Sequence, residues 1–166
     1  VNAAVIEQTP LAGDDEAWDA GWADTLQVNV IAASTLMREA AAVFAARGSG
    51  SVIVISSRAG QQGSRIPELS AYAASKAAIR NVAQSMARAY ARDGVLFYTI
   101  APGVVDAGMG TAGMSDEAIR AVADGLTMGK HVEVQEIAEL AAFLATGRAP
   151  SLTGSTLDLN GASYLR

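Results

Sequence analysis

The sequence predicts an α/β fold in which a parallel β-sheet carries helices on both faces, the doubly wound arrangement. Helical and strand periods alternate along the chain, which is typical of this class. Residues 51–57, SVIVISS, form a continuous β-branched run of the kind found in strands that are buried on both faces of a parallel sheet. The predicted helices are long enough to join parallel strands by right-handed crossovers.

Composition narrows the possible functions. The chain has 166 residues, of which 51% are apolar and 17% charged, so we expect one domain over residues 1–166 with its own core. The net charge of −5 and the scattered basic residues argue against nucleic acid as a partner. The sequence contains no run of about 18 apolar residues, which a membrane span would need, and no visible signal peptide. We therefore expect a cytoplasmic protein that does not bind membranes. The chain has no cysteine and only one histidine, His131, so we expect no metal site.

Local signals support each element in turn. The helix over residues 22–48 ends at Gly48, and the helix over residues 70–92 begins at Ser70 as a candidate N-cap. Ser115 is a candidate N-cap for a short third helix. The remaining predicted elements are strands over residues 95–103 and 155–161 and a helix over residues 134–147. The first residues, VNAAVIEQ, look like the end of a strand, so we expect the N-terminal strands of the sheet to be missing from this chain.

The candidate chemistry lies around Tyr72 and Lys76, in the stretch SAYAASKAAI. Residues four apart on a helix share one face, with Cβ atoms about 5–6 Å apart. A nearby ammonium lowers the pKa of a phenol from about 10 and so suits it to proton transfer near neutral pH. A solvated helix face is the alternative interpretation of the same spacing.

A third candidate, Ser57, stands at the carboxyl end of a predicted strand, where ligands bind in doubly wound sheets. Its hydroxyl could hydrogen-bond a substrate carbonyl in the crevice that Tyr72 reaches. The alternative is a strand-end serine that satisfies only backbone groups.

Six short motifs, in this order, resemble the short-chain dehydrogenase/reductase family over essentially the whole chain. They are VNAAV at the N terminus, the helix asparagine Asn29, VISS ending in Ser57, YAASK with Tyr72 and Lys76, APGVV, and LTGSTLDLNGA near the C terminus. The resemblance implies a Rossmann-like fold, NAD or NADP as the cofactor, and a small-molecule carbonyl or alcohol as the substrate. It also implies a homodimer or homotetramer, for which close helix approach is expected at Ala40, Ala41, Ala45, Ala78, Ser85 and Ala89.

The resemblance also implies a role for each matching residue. Tyr72 would be the general acid–base, Lys76 would lower its pKa and hydrogen-bond the nicotinamide ribose, and Ser57 would orient the substrate carbonyl. Asn29 would hold a water in a proton relay to Lys76, and its poor helix propensity predicts a local irregularity. The implied cofactor-binding residues are Asn2, Ala4, Tyr72, Lys76, Pro102, Gly103 and Val105.

Four departures from the family pattern affect the cofactor and the substrate. The Gly-rich loop is absent, together with the residue that selects NAD or NADP. Ala4 stands where the family usually has glycine, and Ala107 replaces a threonine after the Pro-Gly turn. The segment between Ser57 and Tyr72 is longer than usual, which implies a short insertion that reshapes the substrate mouth around Arg65.

A second glycine motif, GMGTAG at residues 108–113, matches G-x-G-x-x-G by letter. A dinucleotide fingerprint lies directly between a strand and the helix it opens, whereas APGVVDA separates this motif from its strand. We interpret the segment as a mobile lid and His131 as an ordinary loop residue.

Two other functions remain open at this point. If the polypeptide truly begins at Val1, it is a non-catalytic chain that only oligomerises, because its incomplete sheet needs a partner. A serine hydrolase using Ser57 would lack a G-x-S-x-G elbow and would have only His131 as a base.

Overall fold

The computed structural model describes residues 1–106, 108–111 and 113–165. Its helices are α1 (Asp15–Leu26), α2 (Ala33–Arg47), α3 (Ala59–Gln62), α4 (Ser70–Tyr90), α5 (Asp116–Asp124) and α6 (Val134–Ala145). Its strands are β1 (Gly50–Ile55), β2 (Val95–Pro102) and β3 (Thr156–Leu159). The strands form one parallel sheet in the order β1-β2-β3. The predicted α/β class with a parallel sheet is confirmed.

The side chains of β2 alternate between two cores, as the pleat of a strand requires. Val95 and Phe97 face a core that α2 and α4 close, together with Val54 of β1. Tyr98 and Ile100 point the other way, toward α6. Helices therefore cover both faces of the sheet, which is the predicted doubly wound arrangement.

The first helices start earlier than the sequence predicts. Helix α1 begins at Asp15, and the Asp14 carboxylate caps it by accepting a hydrogen bond from the Glu16 N–H over 2.9 Å. The prediction began at residue 22 because the polar stretch before it carries no apolar stripe. The predicted end is confirmed, since Gly48 closes α2 with a left-handed φ of 75°.

The two predicted serine caps have different outcomes. Ser115 caps α5, and its hydroxyl accepts a hydrogen bond from the Ala118 N–H over 3.2 Å. The Ser70 prediction is wrong, because Leu69 is the N-cap and Ser70 is the first residue within α4. The Ser70 hydroxyl instead lies 3.1 Å from that of Thr9, which pins the N-terminal segment to α4.

The N-terminal segment runs beside β1. The Ile55 N–H donates to the Val1 carbonyl over 3.0 Å, and the Val1 nitrogen donates to the Ile53 carbonyl over 2.6 Å. Val1 thus lies along the edge of β1, in keeping with the predicted strand end. The residues that follow it are carried past the carboxyl end of the sheet.

The small-residue face predicted on α2 is not free for a second subunit. Ala41 has no exposed surface, and Ala40 and Ala45 pack against the same core. The prediction treated these alanines as a surface because the pattern does not show which side of the helix meets the sheet. The large apolar side chains exposed on this helix are Leu36 and Val43, and Ile31 is exposed just before it.

Within the part of the chain that the structure describes, length and composition alone would allow one helical stretch, Asp15–Arg47, to cross a membrane. The core helix of a soluble protein passes the same test. Here Met37 is buried in the core beside β1, and the buried amide of Asn29 is tied to neighbouring segments by hydrogen bonds. These contacts favour a core helix over a membrane span.

Candidate active site

The predicted site residues converge at the carboxyl edge of the sheet. Ser57 follows β1, and Pro102 ends β2. The Arg58 N–H donates to the Pro102 carbonyl over 2.9 Å and so joins the two strand ends. Helix α4 returns to this edge, because Lys76 Nζ lies 3.1 Å from the carbonyl oxygen of Ile55, the last residue of β1. The crevice of a doubly wound sheet is expected at this position.

Tyr72 is half-buried, and its side chain lies near that of Ser57. Burial disfavours the phenolate and raises the pKa of Tyr72, while the Ser57 hydroxyl, which can donate to a phenolate, offsets part of this rise. The lowering of this pKa by Lys76 stays a prediction. Its Nζ lies 5.6 Å from the centre of the tyrosine ring, and burial dominates.

Lys76 is only 5% exposed, so the alternative of a solvated helix face is wrong for this residue. Its Nζ donates to a neutral group, the Ile55 carbonyl. Burial lowers the pKa of Lys76 to about 8, because an ammonium loses hydration inside the protein. The site therefore places a tyrosine and a lysine together. Burial raises the pKa of Tyr72 and lowers that of Lys76, so it favours the neutral form of both side chains.

The backbone of Lys76 is also fixed to the end of β1. The Ser56 hydroxyl donates to the Lys76 carbonyl over 2.7 Å. Gly60 closes the contact from the other side, since a Cβ there would lie 2.7 Å from the Lys76 carbonyl carbon. Sequence reasoning missed both residues. The available signal was their position, because Ser56 directly precedes Ser57 and Gly60 follows it closely in the same loop.

Asn29 lies in a π-helical turn, Gln27–Ala32, which is the local irregularity the sequence predicts. Its Oδ1 accepts from the Val5 N–H over 2.8 Å, and its Nδ2 donates to the Val5 carbonyl over 2.9 Å and to Ser75 Oγ over 3.0 Å. The Ser75 hydroxyl in turn donates to the Tyr72 carbonyl over 2.7 Å. Both N–H groups of the side-chain amide are thus used, so a water in a relay through Asn29 would have to donate to Oδ1 or to the backbone carbonyl.

The Pro-Gly turn and the N-terminal segment border the same edge. The Gly103 N–H donates to the Leu159 carbonyl over 2.9 Å, and a Cβ on Gly103 would lie 3.0 Å from Asn160 Cα. Val105 continues the turn in a parallel bridge with Val132. The exposed Asn2 and the half-buried Ala4 follow Val1 past the end of β1. The predicted cofactor-binding residues therefore share one side of the molecule with Tyr72 and Lys76.

The lid predicted between Val105 and Val132 stays a prediction. None of the residues of α5 is buried, and Gly108 has a left-handed φ of 55°. Within GMGTAG, residues 108–110 form a 3-10 turn and do not open a long helix, which agrees with rejecting a phosphate loop. Ala107 lies outside the described residues.

His131 stands in the loop before α6, as the sequence predicts. Unlike most loop residues it is buried, and its Nε2 has no hydrogen-bond partner within the described part of the chain. It lies beside Val132, at the base of the lid segment, and no contact joins it to Tyr72 or Lys76 among the described residues.

The donors at this edge fit a nicotinamide ribose and a substrate carbonyl. Among the described residues, Lys76 Nζ donates only to Ile55, which leaves further N–H groups for ribose hydroxyls. The hydroxyls of Tyr72 and Ser57 lie together, as a carbonyl oxygen that accepts two hydrogen bonds requires. The close packing of Gly103 on Asn160 sets the backbone of the turn beside them.

Comparison with known proteins identifies the family. A family model described as enoyl-(acyl carrier protein) reductase matches residues 1–161. The chain belongs to the short-chain dehydrogenase/reductase family.

Curated relatives and solved structures agree with this assignment. The 3-oxoacyl-(acyl-carrier-protein) reductase FabG of Vibrio cholerae is 32% identical over 144 residues, which are 87% of this chain and 58% of that protein. The acetoacetyl-CoA reductase of Allochromatium vinosum is 32% identical over 146 residues, 88% of this chain and 58% of that protein. A candidate NAD(P)-dependent gluconate 5-dehydrogenase from Beutenbergia cavernae, with NADP bound at low occupancy, has a TM-score of 0.85 and 30% identity and covers 98% of this chain and 64% of its own. This chain thus spans about three fifths of the length of the curated relatives it matches.

Proposed function

We propose that the protein containing this chain is an NAD(P)-dependent oxidoreductase that interconverts a carbonyl compound and a secondary alcohol. The observation that carries the proposal is the placing of Tyr72 and the buried Lys76 beside the end of β1, where Lys76 Nζ lies 5.6 Å from the centre of the tyrosine ring and donates to the Ile55 carbonyl, two residues before Ser57. Two hydroxyl groups at one point can bind a carbonyl oxygen and move a proton to or from it. The membership of the family supports this assignment of the chemistry.

Each side chain has a proposed part in the reduction of a carbonyl. Tyr72 donates the proton to the carbonyl oxygen, and Ser57 hydrogen-bonds the same oxygen and orients it. Lys76 binds ribose hydroxyls, and its positive charge favours the tyrosinate that remains after proton transfer. A bound nicotinamide supplies the hydride. In the direction of alcohol oxidation, the same tyrosine accepts the proton.

The proposed binding surface for the nicotinamide half of NAD or NADP is the edge described above. Asn2 and Ala4 approach it from the N-terminal segment, and Pro102, Gly103 and Val105 from the turn after β2. The proton relay through Asn29 is proposed to use its backbone carbonyl or Oδ1, since Val5 and Ser75 occupy the N–H groups of its amide. NADP in the Beutenbergia cavernae structure supports a cofactor of this type.

The assembly is proposed to be a homodimer or homotetramer. Leu36 is 59% exposed and Val43 57% exposed on α2, although both are large apolar side chains. Ser85 and Ala89 are exposed on α4. Apolar side chains on a helix surface are typical of an interface with a second subunit.

The test uses protein from the complete reading frame that encodes residues 1–166. Nicotinamide absorbance is followed with NADH and with NADPH against ketones, acyl thioesters and keto sugars. Turnover with at least one of these classes is expected. The matched variants are Tyr72→Phe and Tyr90→Phe, because Tyr90 lies on the same helix and packs on Phe97 away from the site. A stable oligomer without any turnover would instead support the non-catalytic chain that only oligomerises.

A further inference from the structure

We propose that the substrate carries an anionic group, a carboxylate or a phosphate, which the guanidinium groups of Arg58 and Arg65 bind beside Ser57. This inference rests on the proposed function, and it narrows the substrate class within it. A planar carboxylate and a tetrahedral phosphate both present negatively charged oxygens that accept paired hydrogen bonds from arginine.

The position of Arg58 supports this assignment. Arg58 directly follows Ser57, and its N–H donates to the Pro102 carbonyl over 2.9 Å, so its backbone is fixed between the ends of β1 and β2. Its Nη1 is buried and has no hydrogen-bond partner in the described part of the chain. A buried guanidinium N–H without a partner is costly, and a ligand oxygen would satisfy it.

The neighbouring charge is also positive. The pKa of Arg58 is lowered, first by burial and then by the positive charge of Arg65, so the two guanidinium groups are close enough to repel. Among the described residues, the ion pairs within 4 Å join Arg38 with Glu39 and Lys130 with Glu133 and Glu136, and none involves Arg58 or Arg65. An anion between the two would remove this repulsion.

The loop that carries Arg65 is anchored on both sides. The Gly63 N–H donates to the Ala59 carbonyl over 2.9 Å, and Thr9 donates to the Glu68 carbonyl through its N–H over 2.7 Å and its hydroxyl over 2.9 Å. Arg65 itself is exposed between these anchors. These anchors hold the backbone on each side of Arg65, whose charge acts on Arg58.

The experiment compares matched charged and neutral substrates. The pairs are acetoacetate with methyl acetoacetate, and dihydroxyacetone phosphate with dihydroxyacetone. In the unaltered protein we expect kcat/KM to be at least about tenfold higher for the anion of one pair, as charge-assisted hydrogen bonds predict. The pair with the larger ratio distinguishes a carboxylate from a phosphate.

Substitutions then locate the preference. Arg58→Gln is expected to lower kcat/KM for the preferred anion about tenfold or more while changing its neutral partner less than about twofold. Arg58→Lys should retain part of the preference, because it keeps the charge but loses the paired donors. Arg65→Gln should have a smaller effect, about threefold, since this side chain is exposed. Arg88→Gln, on the exposed surface of α4, is the control and should leave kcat/KM unchanged for both the charged and the neutral substrate.

Turnover of the neutral partner also reports whether each variant is folded. Equal kcat/KM for the charged and neutral members of both pairs would overturn the anion site while leaving the proposed oxidoreductase intact. If no nicotinamide-linked turnover occurs at all, the proposed function fails, and calorimetric titration with the same four compounds decides the site. Tighter binding of an anion that is lost in Arg58→Gln would support the site, and equal or absent binding would reject it.

Discussion

The start of α4 and the segment between Val105 and Val132 lie at the same edge of the sheet but are built differently. Around Tyr72 and Lys76, buried hydrogen bonds join α4 to β1 and to the π-helical turn. The other segment contains α5, in which no residue is buried. The groups proposed to move a proton are therefore fixed by buried hydrogen bonds, whereas the other segment is tied to the rest of the chain by exposed contacts such as that of Thr127 with the Ala162 carbonyl.

The sharpest test of the fixed region is Tyr72→Phe. This change removes one hydroxyl and keeps the ring, so the fold should remain while kcat falls by about 10²- to 10⁴-fold, as loss of a general acid–base predicts. The measurement is steady-state nicotinamide oxidation with the best substrate, together with thermal unfolding.

Tyr90→Phe is the matched control and should keep kcat within about twofold, since a substitution away from the site leaves the transition state unchanged. Near-normal turnover in Tyr72→Phe would remove the tyrosine from the chemistry.

The second prediction concerns Lys76 and pH. Its pKa is about 8 in the folded chain against an ordinary value of 10.5. Between these values the unfolded chain binds more protons than the folded one, so stability from this group rises with pH over that window. We expect the difference in the free energy of unfolding between the unaltered protein and Lys76→Met to rise by about 2–3 kcal/mol from pH 8 to 10.5.

Denaturant unfolding at several pH values measures this difference. Taking the difference between the two proteins removes the effect of the titrating groups that they share. A difference that stays constant across the window would mean that the lysine is hydrated in the folded state.

The third prediction tests the link between α4 and the π-helical turn. Ser75→Ala removes the acceptor of the Asn29 Nδ2 hydrogen bond and leaves that buried group without it. The expected cost is about 1–3 kcal/mol in the free energy of unfolding. Ser85→Ala, on the same helix, removes only an exposed hydroxyl that bonds the Asn81 carbonyl, and should cost less than about 0.5 kcal/mol.

Denaturant titration of the two serine variants provides the measurement. An equal loss in the free energy of unfolding for Ser75→Ala and Ser85→Ala would show that the hydrogen bond between Ser75 and Asn29 does not stabilise the fold.

The smallest effect is expected in the lid segment. Ala121→Gly in α5 should lower global stability by less than about 1 kcal/mol, because it costs only helix propensity at an exposed position. The same change at Ala83, which is buried in the core, should cost clearly more, since it adds a lost packing contact. If the two alanines respond equally in denaturant unfolding, α5 belongs to the rigid part of the fold and the contrast fails.

Much of this architecture is readable from the sequence, and the parts that are not have a common cause. The β-branched run predicts β1, and the spacing of Tyr72 and Lys76 predicts their shared face. What escaped prediction involves contacts between distant segments, such as the hydrogen bond of Asn29 to Ser75 across 46 positions. The same reason explains Ala41, whose small side chain is compatible with a surface or a core until the sheet is placed against it. Periodicity defines one element's face but not the partner that this face meets.

The π-helical turn at Gln27–Ala32 has a consequence for the rotational phase of the long helix. A residue in an α-helix advances the direction of the side chains by about 100°, so one additional residue would rotate everything beyond it relative to everything before it. The wider π-helical turn takes up such a residue with little rotation, so the α-helical segments on its two sides keep a common buried face. Thr25 and Met37, one on each side of the turn, are both buried. Deleting a single residue within the turn would therefore regularise the helix and leave both side chains facing the core, while removing the wide turn that holds Asn29.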